Sequence, residues 1–353
     1  MVAQPSPPAW FAPTLSALAE RRPLEPMRTC QMMHALLEGE LGDVEAAALL
    51  VALRTKGETA EELAAAAAVL REYMVPLETG CDELLDTCGT GGDGSGTFNI
   101  STATAFVVAA AGVPVVKHGN RAVSGHCGSS DVLAQLGVPL HADPRQALVC
   151  LERAGLAFCH APHFHPALQV LAELRRRLGM RTLFNCLGPL ANPAGAVYQL
   201  LGVGRAEWLD PMAGALARLG TKHAFLVCGH DGLDEVSLSA ATLVREVRDG
   251  RVIEHEWTAA DFGLGPCALD ELRADGAAAS AAVVRGVLAG EPGAATRVVL
   301  ANAAAALLVA GRVGSLPEGV ARAREAIAGG RAAAVLAELT RAPTGPGESL
   351  PHP

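Results

Sequence analysis

From about residue 80 onward, short β-branched stretches alternate with helical ones. VPVVKH (113–118) and HAFLVCG (223–229) stand against STATAFVVAAAG (101–112) and DPMAGALARLG (210–220). Apolar strands separated by helices bury both sheet faces only if the helices cover them. The alternation therefore predicts an α/β domain with a mostly parallel central sheet, spanning 79–340. Ligands of such sheets gather at the loops beyond the C-terminal strand ends. Residues 13–78 show no strand alternation. Their ETAEELAAAAAVLREYM carries a capping box, Thr59 with Glu62, ahead of an alanine and leucine run. A small all-helical domain is expected there. FHPALQVLAELRRRLGMRTLFN (164–185) again reads as helix, so the helical domain is expected to be discontinuous and completed by about 166–188. The Pro-rich stretch 341–353 reads as a flexible tail.

Composition narrows the function classes. The chain has 353 residues, half of them apolar, which is ample for a large core. A net charge of −9 argues against a nucleic-acid or membrane-surface partner, both of which need a basic face. Nine cysteines with no C-x-x-C pair read as reduced thiols, and hence as a cytoplasmic protein. MVAQPSPPAW lacks the basic-then-apolar pattern of a secretory signal, and the alanine-rich segments are broken before membrane-spanning length.

The chemistry concentrates first in DTCGTGGDGSGTFNIST (86–102). Gly89 to Gly94 formally matches G-x-G-x-x-G. A dinucleotide site, however, needs a helix opening at the glycines and an acid about 20 residues on. Here more loop follows the glycines, and the later stretch is VVKHGN. No Gly-Lys-Ser/Thr closes the loop either, so it is not a P-loop. What remains is a nest of backbone N–H groups ahead of a helix starting near Ser101 or Thr102, suited to an anion. Asn99, Ser101 and Thr102 add donors or metal-coordinating oxygens. Asp93 would repel a bare phosphate, which points to a bound hydroxyl or a nearby cation. Against this stands the plain alternative of a turn followed by an N-capped helix.

KHGNRAVSGHCGSSD (117–131) repeats the formula of basic residues, glycines and a capped helix. Two such loops favour a ligand with two phosphate groups. Lys117, one of three lysines in the chain, would supply a compact charge, the alternative being an ordinary solvated loop. GHDGLDEVSL (229–238) places Asp234 beside Glu235. Such a pair is usually mere surface, but all-oxygen donors also suit magnesium bound together with phosphates. HAPHFH (160–165) lacks the partners of a zinc site and reads instead as a pocket-lining loop, with Phe164 and the imidazoles facing a flat aromatic ligand. In LAELRRRLG, spacing alone does not tell which of Arg175, Arg176 and Arg177 points inward.

GTGGDGSGTFNIST, KHGNRAVS with CGSSDVL, HPA followed by Arg175, RTLFNCLGPLANP (181–193) and GLDEVS, in that order, resemble the anthranilate phosphoribosyltransferase family from about residue 13 to 340. The resemblance implies transfer of a phosphoribosyl group from phosphoribosyl pyrophosphate (PRPP) to the amine of anthranilate, with Mg2+, in tryptophan biosynthesis. It also implies a homodimer whose helical domain closes on the α/β domain. Carried onto matching positions, PRPP would contact Gly89, Gly92, Asp93, Thr97, Asn99, Ile100, Ser101 and Thr102. The second loop would add Lys117, His118, Gly119, Asn120, Arg121, Ala122, Val123, Ser124 and Gly125, with Ser129 beyond. Anthranilate would meet Gly89, Asn120 and Arg175, with His118 and HAPHFHPA shaping its pocket. Magnesium would meet Ser101, Asp234 and Glu235.

The chain departs from the family pattern at Gly125-His126, where a serine and then a lysine or arginine usually follow AVS. No residue is expected to act as a strong acid or base, because an aromatic amine is already a neutral nucleophile at pH 7. Two rivals keep the scaffold and change the function: a pyrimidine nucleoside phosphorylase-like enzyme, and a non-catalytic nucleic-acid-binding relative.

Overall fold

A computed structural model of the chain describes residues 7–120, 127–140 and 143–341. Four helices come first, Phe11–Ala19, Pro26–Leu37, Asp43–Lys56 and Ala60–Glu72. The fourth starts at the capping box read from the sequence, with the Glu62 amide donating to Thr59 Oγ1 at 3.2 Å and Thr59 N–H donating to Glu62 Oε2 at 2.8 Å. Glu62 does more than cap. It is fully buried, accepts the Leu24 N–H at 2.8 Å, and pairs with the buried Lys56 ammonium at 2.7 Å. One carboxylate thus ties three separate stretches of the bundle.

The stretch 164–185 is not one helix. A 3-10 turn Pro166–Leu171 leads into Ala172–Leu178, Gly179 ends that helix in the left-handed region at φ 59°, and a further helix runs Phe184–Leu190. These pieces pack on Pro26–Leu37, Asp43–Lys56 and Ala60–Glu72 respectively.

Seven strands form one sheet: β1 (Leu85–Asp86), β2 (Val115–Gly119), β3 (Leu156–His160), β4 (Tyr198–Gly202), β5 (His223–Gly229), β6 (Thr242–Arg248) and β7 (Arg251–Trp257). Their order is β3-β2-β1-β4-β5-β6-β7, with β1 to β5 parallel and β6 and β7 antiparallel. The α/β fold with a mostly parallel sheet, beside a helical bundle, is as the alternation of segments predicts. The β6–β7 hairpin turns at Asp249-Gly250, both with positive φ (50° and 72°), the geometry that matches strand twist in a tight hairpin.

Alternation along β4 and β5 builds two cores. Leu200, Phe225 and Val227 join the cluster under helices Ile100–Ala110 and Ala294–Val309. Leu201, Leu226 and Cys228 join a cluster that continues through helix Leu209–Arg218 into the N-terminal bundle. All nine cysteines are unpaired, and six of them are buried. Among the described residues, no helix is long and apolar enough to cross a membrane.

Candidate active site

The strand order reverses between β1 and β4. β1 runs on to β2 and β3 on one side, while β4 opens the other half of the sheet. Loops leaving the C-terminal ends of such a pair part company and leave a crevice. The glycine loop leaves β1 here. Gly89 bridges Gly202 at the end of β4, and Thr90 N–H donates to Gly202 O at 2.8 Å. The loop after β5 closes in from the far side, so near that a Cβ on Gly202 would overlap the Asp234 carbonyl. Only glycine lets these three chain segments meet.

Gly91, Gly92, Gly94 and Gly96 all lie at φ between 65° and 75°, which curls the loop. Asp93 Oδ1 accepts the Ser95 N–H at 3.1 Å, and Asp93 Oδ2 lies 3.4 Å from the Asp234 amide. Thr97 Oγ1 lies 3.2 Å from Ser95 Oγ. Asp234 Oδ2 accepts the Gly91 N–H at 2.9 Å, and Glu235 Oε1 accepts the Ser101 N–H at 2.9 Å. Gly89, Asp93, Ser101, Asp234 and Glu235 therefore form one chain of contacts. Burial raises the pKa of both Asp234 and Glu235; Asp93 beside the former and Asp234 beside the latter raise them further. Carboxylates held together at that cost, with a serine hydroxyl adjacent, offer the all-oxygen donor set of a hard divalent cation. Among the described residues, no group of three His, Cys, Asp or Glu side chains that could hold a metal ion exists.

Lys117 is not on a solvated loop. It lies in β2, 3% exposed, and its ammonium donates to Thr87 O and, at 3.1 Å, to Ser101 Oγ. The charge sits beneath the glycine loop, close to the fully buried Asp86. Ile100 points its side chain into the core, and its N–H donates to Phe98 O at 2.8 Å. Thr102 is likewise wholly buried, its hydroxyl without a partner. Gly119 approaches Ser129 closely, and the Asn120 carbonyl accepts from the Ser130 N–H at 3.3 Å and the Ser129 hydroxyl at 3.4 Å. Arg121, Ala122, Val123, Ser124, Gly125 and His126 lie outside the described residues.

Of the three arginines in Ala172–Leu178, Arg176 pairs with Glu173 and Arg177 with Asp43 at the surface. Arg175 turns inward, its guanidinium 5.4 Å from the centre of the Phe184 ring, and burial lowers its pKa. Phe184 opens helix Phe184–Leu190. Near the other end of that helix the Gly188 carbonyl lies 2.9 Å from His118 Nδ1. A carbonyl only accepts, so Nδ1 carries the proton and Nε2, buried without a partner, presents a bare lone pair. Burial and the neighbouring His165 push the pKa of His118 down to about 3, keeping the ring neutral.

HAPHFH differs from the expectation. Its first residue ends β3 and a short helix, Ala161–Phe164, follows, with Phe164 buried in the sheet core rather than facing a ligand. His163 is exposed, Ser130 Oγ lies 2.9 Å from His160 Nδ1, and the His165 ring lies 4.9 Å from that of His118.

Sequence reasoning did not single out Asp86, Asn192 or Arg181. Asn192 Nδ2 donates to Asp86 Oδ2 at 2.7 Å and to Val116 O at 2.8 Å, bracing β1 against β2. Arg181 donates to Gly91 O, and its guanidinium fills the space a Cβ on Gly92 would need. A carboxylate directly after the apolar pair in LLDTC and the arginine opening RTLFN were the available signals.

Comparison with known proteins converges on this architecture. Residues 12–74 match the helical bundle domain of a glycosyl transferase family, and residues 81–333 match its a/b domain. The anthranilate phosphoribosyltransferase of Thioalkalivibrio sulfidiphilus is 48% identical over 325 residues, 92% of this chain and 96% of that protein. The chain belongs to the anthranilate phosphoribosyltransferase family. Among solved structures of the family, that from Thermus thermophilus superposes with a TM-score of 0.86 at 43% identity, covering 93% of this chain and 98% of the other. The Saccharomyces cerevisiae family member in complex with PRPP and Mg gives 0.85 at 26% identity, covering 95% and 98%.

Proposed function

We infer that this chain transfers the 5-phosphoribosyl group of PRPP to the amine of anthranilate, giving N-(5-phosphoribosyl)anthranilate and pyrophosphate with Mg2+ in tryptophan biosynthesis. The observation that carries this reading is the crevice where β1 and β4 diverge. There the glycine loop, the Asp234-Glu235 pair and the buried Lys117 converge in a member of this family.

The Asp234 and Glu235 carboxylates accept the Gly91 and Ser101 N–H groups, which fixes the acidic loop against the glycine loop. Asp234, Glu235 and Ser101 Oγ would hold magnesium, which when bound would offset the negative charge on the departing pyrophosphate, and the backbone N–H groups of the glycine loop would face the phosphates. Lys117 holds its ammonium under Ser101 and favours that charge from below. Arg175 would clamp the anthranilate carboxylate, with Asn120 and Gly89 orienting the ring. The lone pair of His118 Nε2 would accept a hydrogen bond from the amine and aim it at the ribose carbon. An imidazole with a pKa of about 3 is too weak to remove that proton beforehand. Positioning and charge stabilisation therefore carry the reaction.

The test is loss of anthranilate fluorescence with PRPP and magnesium, expected to stop on chelation with EDTA and return on adding magnesium. Absence of turnover, or release of thymine from thymidine and phosphate, would sink this reading.

A further inference from the structure

Asn99 occupies the N-cap position of helix Ile100–Ala110, yet its side chain makes no cap hydrogen bond. Asparagine is favoured there because its Oδ1 accepts a first-turn N–H. Here that oxygen is turned away. Ser280, 1% exposed on helix Gly276–Leu288, donates its hydroxyl to Asn99 Oδ1 at 3.0 Å and accepts the Asn99 backbone N–H at 2.9 Å. The reciprocal pair fixes both the backbone and the side chain of Asn99. It leaves the amide NH2 free of Ser280 and keeps Oδ1 from competing for the N–H groups at the head of the helix. The same flank is held by the main chain: Phe98 N–H donates to Leu272 O at 2.9 Å and Ala274 N–H to Gly96 O at 3.0 Å.

A second buried polar side chain grips the acidic loop. Asn302 is wholly buried on helix Ala294–Val309, between Ala301 and the run Ala303 to Ala306. An amide among alanines costs free energy unless every polar atom is used. All are used, and mostly on one residue. Oδ1 accepts the Val236 N–H at 2.9 Å, while Nδ2 donates to Val236 O at 3.1 Å and to Val298 O at 2.9 Å. Val236 directly follows Glu235. Leu233 and Val236 are both fully buried, so Asp234 and Glu235 ride on a two-residue span anchored at each end.

We propose that Ser280 and Asn302 are positioning residues for the transferase reaction. Each reaches from a helix to lock one ligand-carrying loop, Ser280 the Asn99 end of the glycine loop and Asn302 the acidic pair. Neither touches the reacting atoms; each acts through the residue it holds. The inference rests on the proposed function.

The test is calorimetric titration of PRPP into the full chain at graded magnesium, with thermal melts and separate KM values for both substrates. Ser280→Ala frees Asn99 to cap its own helix, and its PRPP Kd is expected to rise about tenfold, the worth of one buried hydrogen-bonded pair. Its anthranilate KM should hold, and Ser280→Thr, which keeps the hydroxyl, should restore PRPP affinity. Asn302→Asp keeps the acceptor for Val236 N–H but loses both donors. The magnesium concentration for half-maximal PRPP binding is expected to rise about tenfold. Ser280→Ala removes one oxygen and carries the test if Asn302→Asp does not fold. Lower melting temperatures with PRPP and magnesium responses within about twofold of the parent would make both residues merely structural and overturn the proposal. No heat with the parent chain would instead bring down the proposed function, and this inference with it.

Discussion

At the scale of single residues, the most informative side chains are those whose neighbours have already found partners. Arg176 and Arg177 are spent on surface ion pairs, while Arg175 lies against Phe184 with its guanidinium turned inward. A charge-assisted bond to a carboxylate contributes roughly 1.5–3 kcal/mol. Arg175→Ala is therefore expected to raise the KM for anthranilate by about 10- to 100-fold and to leave that for PRPP nearly unchanged. Steady-state kinetics with each substrate varied in turn decide it, and equal effects on both would refute the role. Lys117 teaches a related lesson: at the end of the strand-like stretch VPVVKH, its ammonium is held by Thr87 O and Ser101 Oγ under the glycine loop rather than by solvent.

Among elements, the helical bundle depends on one buried carboxylate. Glu62 caps its own helix through the Thr59 N–H, accepts the Leu24 N–H, and pairs with Lys56. Glu62→Ala leaves the buried Lys56 ammonium without its paired carboxylate and with only a carbonyl hydrogen bond, to Gly57, in its place. Breaking a buried pair in this way typically costs about 3 kcal/mol or more. Chemical denaturation should show that loss, with a lower midpoint than for Glu61→Ala, whose partner Arg218 is about half exposed. Indistinguishable midpoints would mean that water reaches Lys56 after all. The capping box was legible because its two residues are three apart. The ties to Leu24 and Lys56 were not, since they depend on how the helices pack.

For the molecule as a whole, two neutral imidazoles buried beside one another set an acid limit. His118 is pushed down to about 3 and His165 to about 4, burial being the main cause in both. In the unfolded chain each takes up its proton near pH 6.5. Between that pH and the folded values the unfolded state binds more protons, so stability rises with pH. It is fully present above about 6.5 and lost as the solution is acidified toward 4 and then 3. Melting temperature should fall across that window in the parent and less steeply in His165→Phe. Parallel curves would show that other groups dominate. Assembly belongs to this scale too. The family resemblance implies a homodimer, and Met27, Val44 and Val170, on or against the helical bundle, are 84%, 72% and 52% exposed. Sedimentation should give twice the chain mass of 36.2 kDa, and a monomer at micromolar concentration would remove that part of the reading.

The segment pattern alone specified a mostly parallel sheet beside a helical bundle, because hydrophobic periodicity is local and the chain records it directly. The glycine loop, the lysine loop and the acidic pair were legible for the same reason, as runs of residues with few structural uses. The Asp249-Gly250 hairpin carried an equally local signal that went unread. Other features exist only in three dimensions. Phe164 left the pocket for the core, Arg181 came to rest on Gly92, and Ser280 and Asn302 reached loops 181 and 66 residues away. Such contacts satisfy buried polar groups brought together by packing, and no spacing along the chain encodes which atoms will meet. Residue order dictated what the loops are made of; packing in three dimensions chose the side chains that hold them in place.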